Sequence, residues 1–104
     1  MNLKDHILAA QDCPLAEVKV KEWDCSVYLR TWSGRERSLV SDLPRDDNFL
    51  ARVLCLSLVD QDGKPLFDQG ELDKLNSKSG AVLEKLALEA LRHNGIGREA
   101  EAKN

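Results

Sequence analysis

The sequence predicts a small single domain of the α+β class, one N-terminal β-hairpin packed against four to five short helices. Three observations predict it. Between residues 17 and 32 apolar residues alternate with polar ones on both sides of a short break, the period of a hairpin with one buried face. Further along, apolar residues recur at three- and four-residue spacing, the period of a helix face. Helix-start and helix-stop chemistry brackets those stretches. The chain has 104 residues, and a chain of that size buries roughly 65% of the surface its unfolded form exposes, enough for one modest core. Residues 1–97 are read as the domain and the hydrophilic run 98–104 as a frayed tail.

The elements follow in order. Asn2 caps a first short helix with Leu3, Ile7 and Leu8 on one face, read as part of the fold and closed by Pro14. In EVKVKEWDCSVYLRTW, Val18 and Val20 alternate with Lys19 and Lys21, and Cys25, Val27 and Leu29 with Ser26, Tyr28 and Arg30. Trp23 falls at the turn, where burial is hard. Tyr28 and Trp32 fall on the face opposite Val27 and Leu29, so either a helix covers that face or the aromatics are free for a partner. Ser33 and Glu36 are spaced as a capping box for a helix carrying Leu39, Val40 and Leu43, and Pro44 stops it. Asp46 or Asp47 caps the next segment, NFLARVLCLSLV. Its Leu54, Leu56 and Leu58 would suit a strand, but Ala51, Arg52 and the leucine content favour helix.

Residues 60–66 read as a reversal at Asp62-Gly63, with Val59 before it and Leu66-Phe67 after it reaching the core. Pro65 restricts any strand there to a short edge. Asp68 and Glu71 form a second capping box, with Phe67 and Leu72 as its hydrophobic staple. The last helix starts near Ser77 or Ser79 and buries Leu83, Leu86, Ala87, Ala90 and Leu91. It ends with Gly95 in a left-handed conformation and Ile96 packed back on Leu91. Arg92 and His93 suit its negative end.

Composition narrows the function. Charged residues are 32% and hydrophobic ones 42%, which suits a folded chain, and the net charge is −3. Arg35, Arg37 and Arg45 are interleaved with Glu36, Asp42, Asp46 and Asp47, so no basic stripe tracks phosphates and nucleic acid is not an expected partner. No apolar run approaches the roughly 20 residues of a membrane span, and the N-terminus lacks a basic-then-apolar signal layout, so no membrane partner and a cytoplasmic location are expected. Cys13, Cys25 and Cys55 are widely spaced and unpatterned, which fits a reducing compartment, with buried inert thiols as the default. No close-spaced pair joins them to His6 or His93 as zinc ligands.

The sharpest chemical motif is Asp60-Gln61-Asp62-Gly63, which reads like the middle of a calcium loop. Aligned on Gly63, however, the first ligand position is Leu58 and the bidentate anchor position is Gln69. Two carboxylates leave a hard cation mostly hydrated, and the turn reading explains more of the residues. The glycines form no phosphate loop, and Gly95-Ile96-Gly97 ends a helix where an anion site would open one. No nucleophile motif surrounds either histidine. No enzyme activity and no cofactor are expected.

Four segments resemble the tail assembly chaperones of long-tailed (siphovirus-type) bacteriophages or prophages. They are LKDHILAAQD, VKVKEWDCSVYLRTWSGRER, ARVLCLSLVDQDGKPLF and LNSKSGAVLEKLALEALRHNGIG, in the family's order and over most of the chain. One departure is Asp24, where relatives often carry a small turn residue such as Gly. The resemblance implies a non-enzymatic chaperone in the cytoplasm of the bacterial host, absent from the mature virion. It would bind the long helical tape-measure protein, keep it soluble and help recruit tail-tube subunits. Trp23, Tyr28 and Trp32 are the expected partner-binding residues, set against packing of Tyr28 and Trp32 under a neighbouring helix. The alternative role is a small structural or adaptor protein of the tail that stays in the virion. Self-association is left open.

Overall fold

A computed structural model describes residues 2–96, so the expected tail at 98–104 lies outside the described residues. Helix α1 (Leu3–Ala9) begins at Asn2, whose Oδ1 accepts the Asp5 N–H at 2.8 Å. None of its residues is buried. Leu3, Ile7 and Leu8 are 72%, 60% and 73% exposed, so the expected apolar face forms but does not join the core. The helix ends five residues before Pro14; the cap is the extended Ala10.

Strands β1 (Ala16–Val20) and β2 (Cys25–Leu29) form the antiparallel hairpin, with Val18 opposite Val27 and Val20 opposite Cys25. A single 3-10 turn at Lys21–Trp23 joins them, followed by Asp24 at φ 51°. That left-handed conformation is cheap for Gly and tolerated by Asp. Val20, Val27 and Leu29 are buried, while Cys25 at the end of the strand is exposed.

Helix α2 (Gly34–Ser41) carries the expected capping box: the Ser33 Oγ accepts the Glu36 N–H, and the Glu36 carboxylate accepts the Ser33 N–H at 2.9 Å. Only Val40 of its stripe is buried; Leu39 is exposed. Helix α3 (Phe49–Ser57) occupies the centre of the fold. Ala51, Val53, Leu54, Cys55 and Ser57 are buried on several sides of it, as in a helix enclosed by other elements. The expected aspartate cap is corrected here. Asn48 holds the cap position without a side-chain cap bond, and Asp46 instead accepts the Asn48 N–H at 2.9 Å and pairs with Arg52.

Leucine-rich α3 gives way directly to β3 (Leu58–Val59), so Leu54 and Leu56 are helical as preferred and only Leu58 lies in a strand. β3 pairs antiparallel with β2 and completes a sheet of order β1-β2-β3. The reversal follows. Gly63 sits at φ 84°, and Val59 bridges to Pro65. Its organiser is Asp60, the first residue of the expected reversal, where the sequence reading stresses Asp62-Gly63. The Asp60 carboxylate accepts the N–H groups of Asp62 at 2.8 Å and Lys64 at 3.0 Å. These backbone bonds, that from Lys64 foremost, hold its carboxyl below the usual range.

Asp68 then opens a 3-10 turn at Gln69–Glu71, accepting the Gly70 N–H while its own N–H reaches Glu71. Helix α4 (Leu72–Asn76) follows, and Ser79 caps helix α5 (Gly80–His93). α5 lies along α3, and α2 and α4 also border α3. One core cluster joins the sheet's Val20, Val27 and Leu29 to Leu54 of α3 and Leu86 of α5. The α5 ending is a Schellman motif: Gly95 at φ 77° donates to Arg92 O at 3.0 Å, and Ile96 donates to Leu91 O at 2.8 Å.

Candidate functional site

The three predicted aromatics do not form one patch. Trp32 is buried, 6% exposed, and its indole N–H donates to the Ser57 Oγ at 3.0 Å. The Ser57 hydroxyl in turn donates to Val53 O at 2.6 Å, so a buried polar pair is satisfied. Alternation would have sent Trp32 outward, but β2 stops at Leu29, and the following coil rotates the ring into the core. In this position Trp32 serves the core and offers no contact area. Tyr28 is half-buried on the other face of the sheet, opposite Val59. Trp23, at the hairpin turn, is half-buried and packs on the edge of the core.

Beside Trp23 lies an open apolar groove of about 380 Å³. The hairpin supplies one wall with Trp23, Cys25 and Val27, and β3 and α4 supply the floor with Leu58 and Leu75. Leu66 and Phe67, from the chain after the reversal, form the opposite lip. Lys74 and Lys78 stand at the rim. Tyr28 and Trp32 take no part in it.

Leu66 and Phe67 were both expected to reach the core. Only Phe67 does; Leu66 is 42% exposed. Both side chains line the groove, and Phe67 packs against the core as well. Leu66 is therefore the contact residue the sequence reading missed. The signal in the sequence was an apolar pair directly after Pro65, outside any helix or strand pattern.

The groove's charge is fixed by what surrounds the two lysines. Lys74 approaches Glu71 at 3.5 Å, an exposed pair of little strength. Glu71 also serves the Asp68 cap. Lys78 makes no side-chain hydrogen bond or ion pair among the described residues. A second apolar surface, Leu3, Ile7 and Leu8 of α1, adds exposed leucine and isoleucine.

Polar clusters elsewhere have structural work. His93 Nε2 lies 2.9 Å from the Thr31 Oγ1 and 3.3 Å from Pro14 O, and the Thr31 hydroxyl donates to Pro14 O, so His93 ties the N-terminal segment to α5. Cys55 is buried, and burial raises its thiol pKa. Cys13 and Cys25 are exposed, which corrects the expectation of buried thiols. Among the described residues, no three His, Cys, Asp or Glu side chains are gathered to hold a metal ion. No helix among them is long and apolar enough to cross a membrane.

The fold is similar to that of the tail assembly chaperone of bacteriophage HK97. The TM-score is 0.62 and the identity 28%, covering 86% of this chain and 90% of that one. No family model matches the chain, and no curated protein sequence matches it. The likeness takes in nearly all of both chains and bears out the resemblance to phage tail assembly chaperones read from the four ordered segments.

Proposed function

We propose that this chain is a non-enzymatic tail assembly chaperone that binds the phage tape-measure protein, keeps it soluble and helps recruit tail-tube subunits. The reading places it in the cytoplasm of the bacterial host and outside the finished virion. The observation that carries it is the likeness, over nearly the whole length of both chains, to a phage tail assembly chaperone.

The surface chemistry supports the reading. A long helical client exposes an apolar stripe until tube subunits enclose it, and a chaperone must cover that stripe reversibly. An open groove and an unburied apolar helix provide contact area well below that of a permanent interface, which keeps each contact weak. Many copies along one client then gain hold through multivalency, without any tight single site.

Co-expression with the tape-measure protein of the same phage tests this. The tape-measure protein should shift to the soluble fraction and co-purify with the chain. A tape-measure protein that stays insoluble with the chain present would overturn the proposal. Mass spectrometry of purified particles tests the second part, since a chaperone is missing from them and a retained adaptor is not.

A further inference from the structure

We propose that the groove beside Trp23 is the client site, and that it takes the apolar stripe of an amphipathic helix flanked by carboxylates. The inference rests on the chaperone reading and adds to it the location of the site and the chemistry of the bound segment.

Volume sets the first condition. A cavity of roughly 150 Å³ holds one benzene-sized group, and this groove measures about 380 Å³. It therefore admits about two large apolar side chains, the number a helix presents on one face within a single turn. The lining sets the second condition. Trp23, Val27, Leu58, Leu66 and Phe67 offer no charge, and burying a client's polar group against them would be costly.

Charge sets the third. Both ionisable rim groups, Lys74 and Lys78, are cations. Glu71, which approaches Lys74, is also engaged by the Asp68 cap. A stripe flanked by Glu or Asp would bring its carboxylates to these ammonium groups, whereas a Lys-flanked stripe would be repelled. The rim thus selects clients by sign, and the apolar floor supplies the area.

The test uses the full chain and synthetic helical peptides of about 20 residues, long enough to hold a helix. One peptide has a leucine stripe flanked by Glu, the second has the same stripe flanked by Lys, and the third is the Glu peptide with two central prolines. Anisotropy of labelled peptide gives affinity, and the change in tryptophan emission on binding reports Trp23, since Trp32 is buried away from the groove. The Glu peptide should bind about tenfold tighter than the Lys peptide, with the preference fading at high salt. The proline peptide should bind poorly. Lys78→Glu should erase or invert the preference, and Leu66→Glu should abolish binding; both side chains are at the surface, and circular dichroism confirms folding. Equal affinity for the two charged peptides, undiminished binding of the proline peptide, or unaltered binding by Leu66→Glu would each overturn the proposal.

Co-expression separates this failure from that of the function. If wild type and Leu66→Glu solubilise the tape-measure protein equally, the groove is not the site and the chaperone reading stands. If wild type fails to solubilise it, the chaperone reading itself falls.

Discussion

Asn94 joins the two halves of the chain through one side chain. Its Oδ1 accepts the Trp32 N–H at 2.7 Å, and its Nδ2 donates to Arg30 O and to Ala90 O. It also lends its backbone carbonyl to the Arg37 guanidinium at 2.8 Å. Replacing it by alanine removes three side-chain bonds worth about 1 kcal/mol each. Asn94→Ala should therefore lower stability by about 2–3 kcal/mol, read as a lower urea midpoint at unchanged slope. Glu36 is a second residue with a measurable signature. Burial alone would raise its pKa, but the Ser33 N–H and the Arg30 guanidinium together outweigh that and hold its carboxyl below the ordinary 4.5. Its contribution is thus complete above about pH 4.5 and lost as pH falls through the lowered folded value. Glu36→Gln should flatten the acid limb of the stability curve and cost about 0.5–1 kcal/mol at neutral pH, measured by denaturation at a series of pH values.

At the scale of elements, the sequence was most legible where its signals were local. The boxes at Ser33–Glu36 and Asp68–Glu71, the caps Asn2 and Ser79, and the Gly95–Ile96 ending all lie within a few residues of the groups they satisfy. The failures were matters of distance and direction. Trp32 follows the alternation of a strand that has already ended at Leu29. Leu66 and Phe67 look equivalent in sequence, yet only Phe67 packs against the core. The Leu3, Ile7 and Leu8 face of α1 has the spacing of a core helix, and nothing in its own sequence says whether a neighbour covers it. The structure leaves it uncovered, and that yields a prediction. Replacing Ile7 and Leu8 together by glutamine should change folding stability by less than about 0.5 kcal/mol, as for other surface substitutions. A thermal melt checks it, and a drop of several degrees would show that α1 contributes to the fold after all.

For the molecule as a whole, a single core cluster spans hairpin, α3 and α5, so these elements should unfold together. Total stability for a chain of this size is about 5–15 kcal/mol. Trp32 reports the core and Trp23 its edge, while far-ultraviolet circular dichroism reports the helices. Urea curves from tryptophan emission and from circular dichroism should share one midpoint. Separate midpoints would show that the hairpin and the helical layer fold independently, and would take the groove that both build out of any cooperative unit.

Where α5 stops, the backbone closes on itself. The carbonyls of Ala90, Leu91, Arg92 and Asn94 are all occupied by Asn94, Gly95, Ile96 and Arg37. Ile96 is tucked against the core, and no carbonyl in that group waits for a donor from further along. The ending of α5 therefore needs no donor from beyond residue 96 at these four carbonyls. The four carbonyls are capped by residues of the described fold alone, so the last turn of α5 is locked from within.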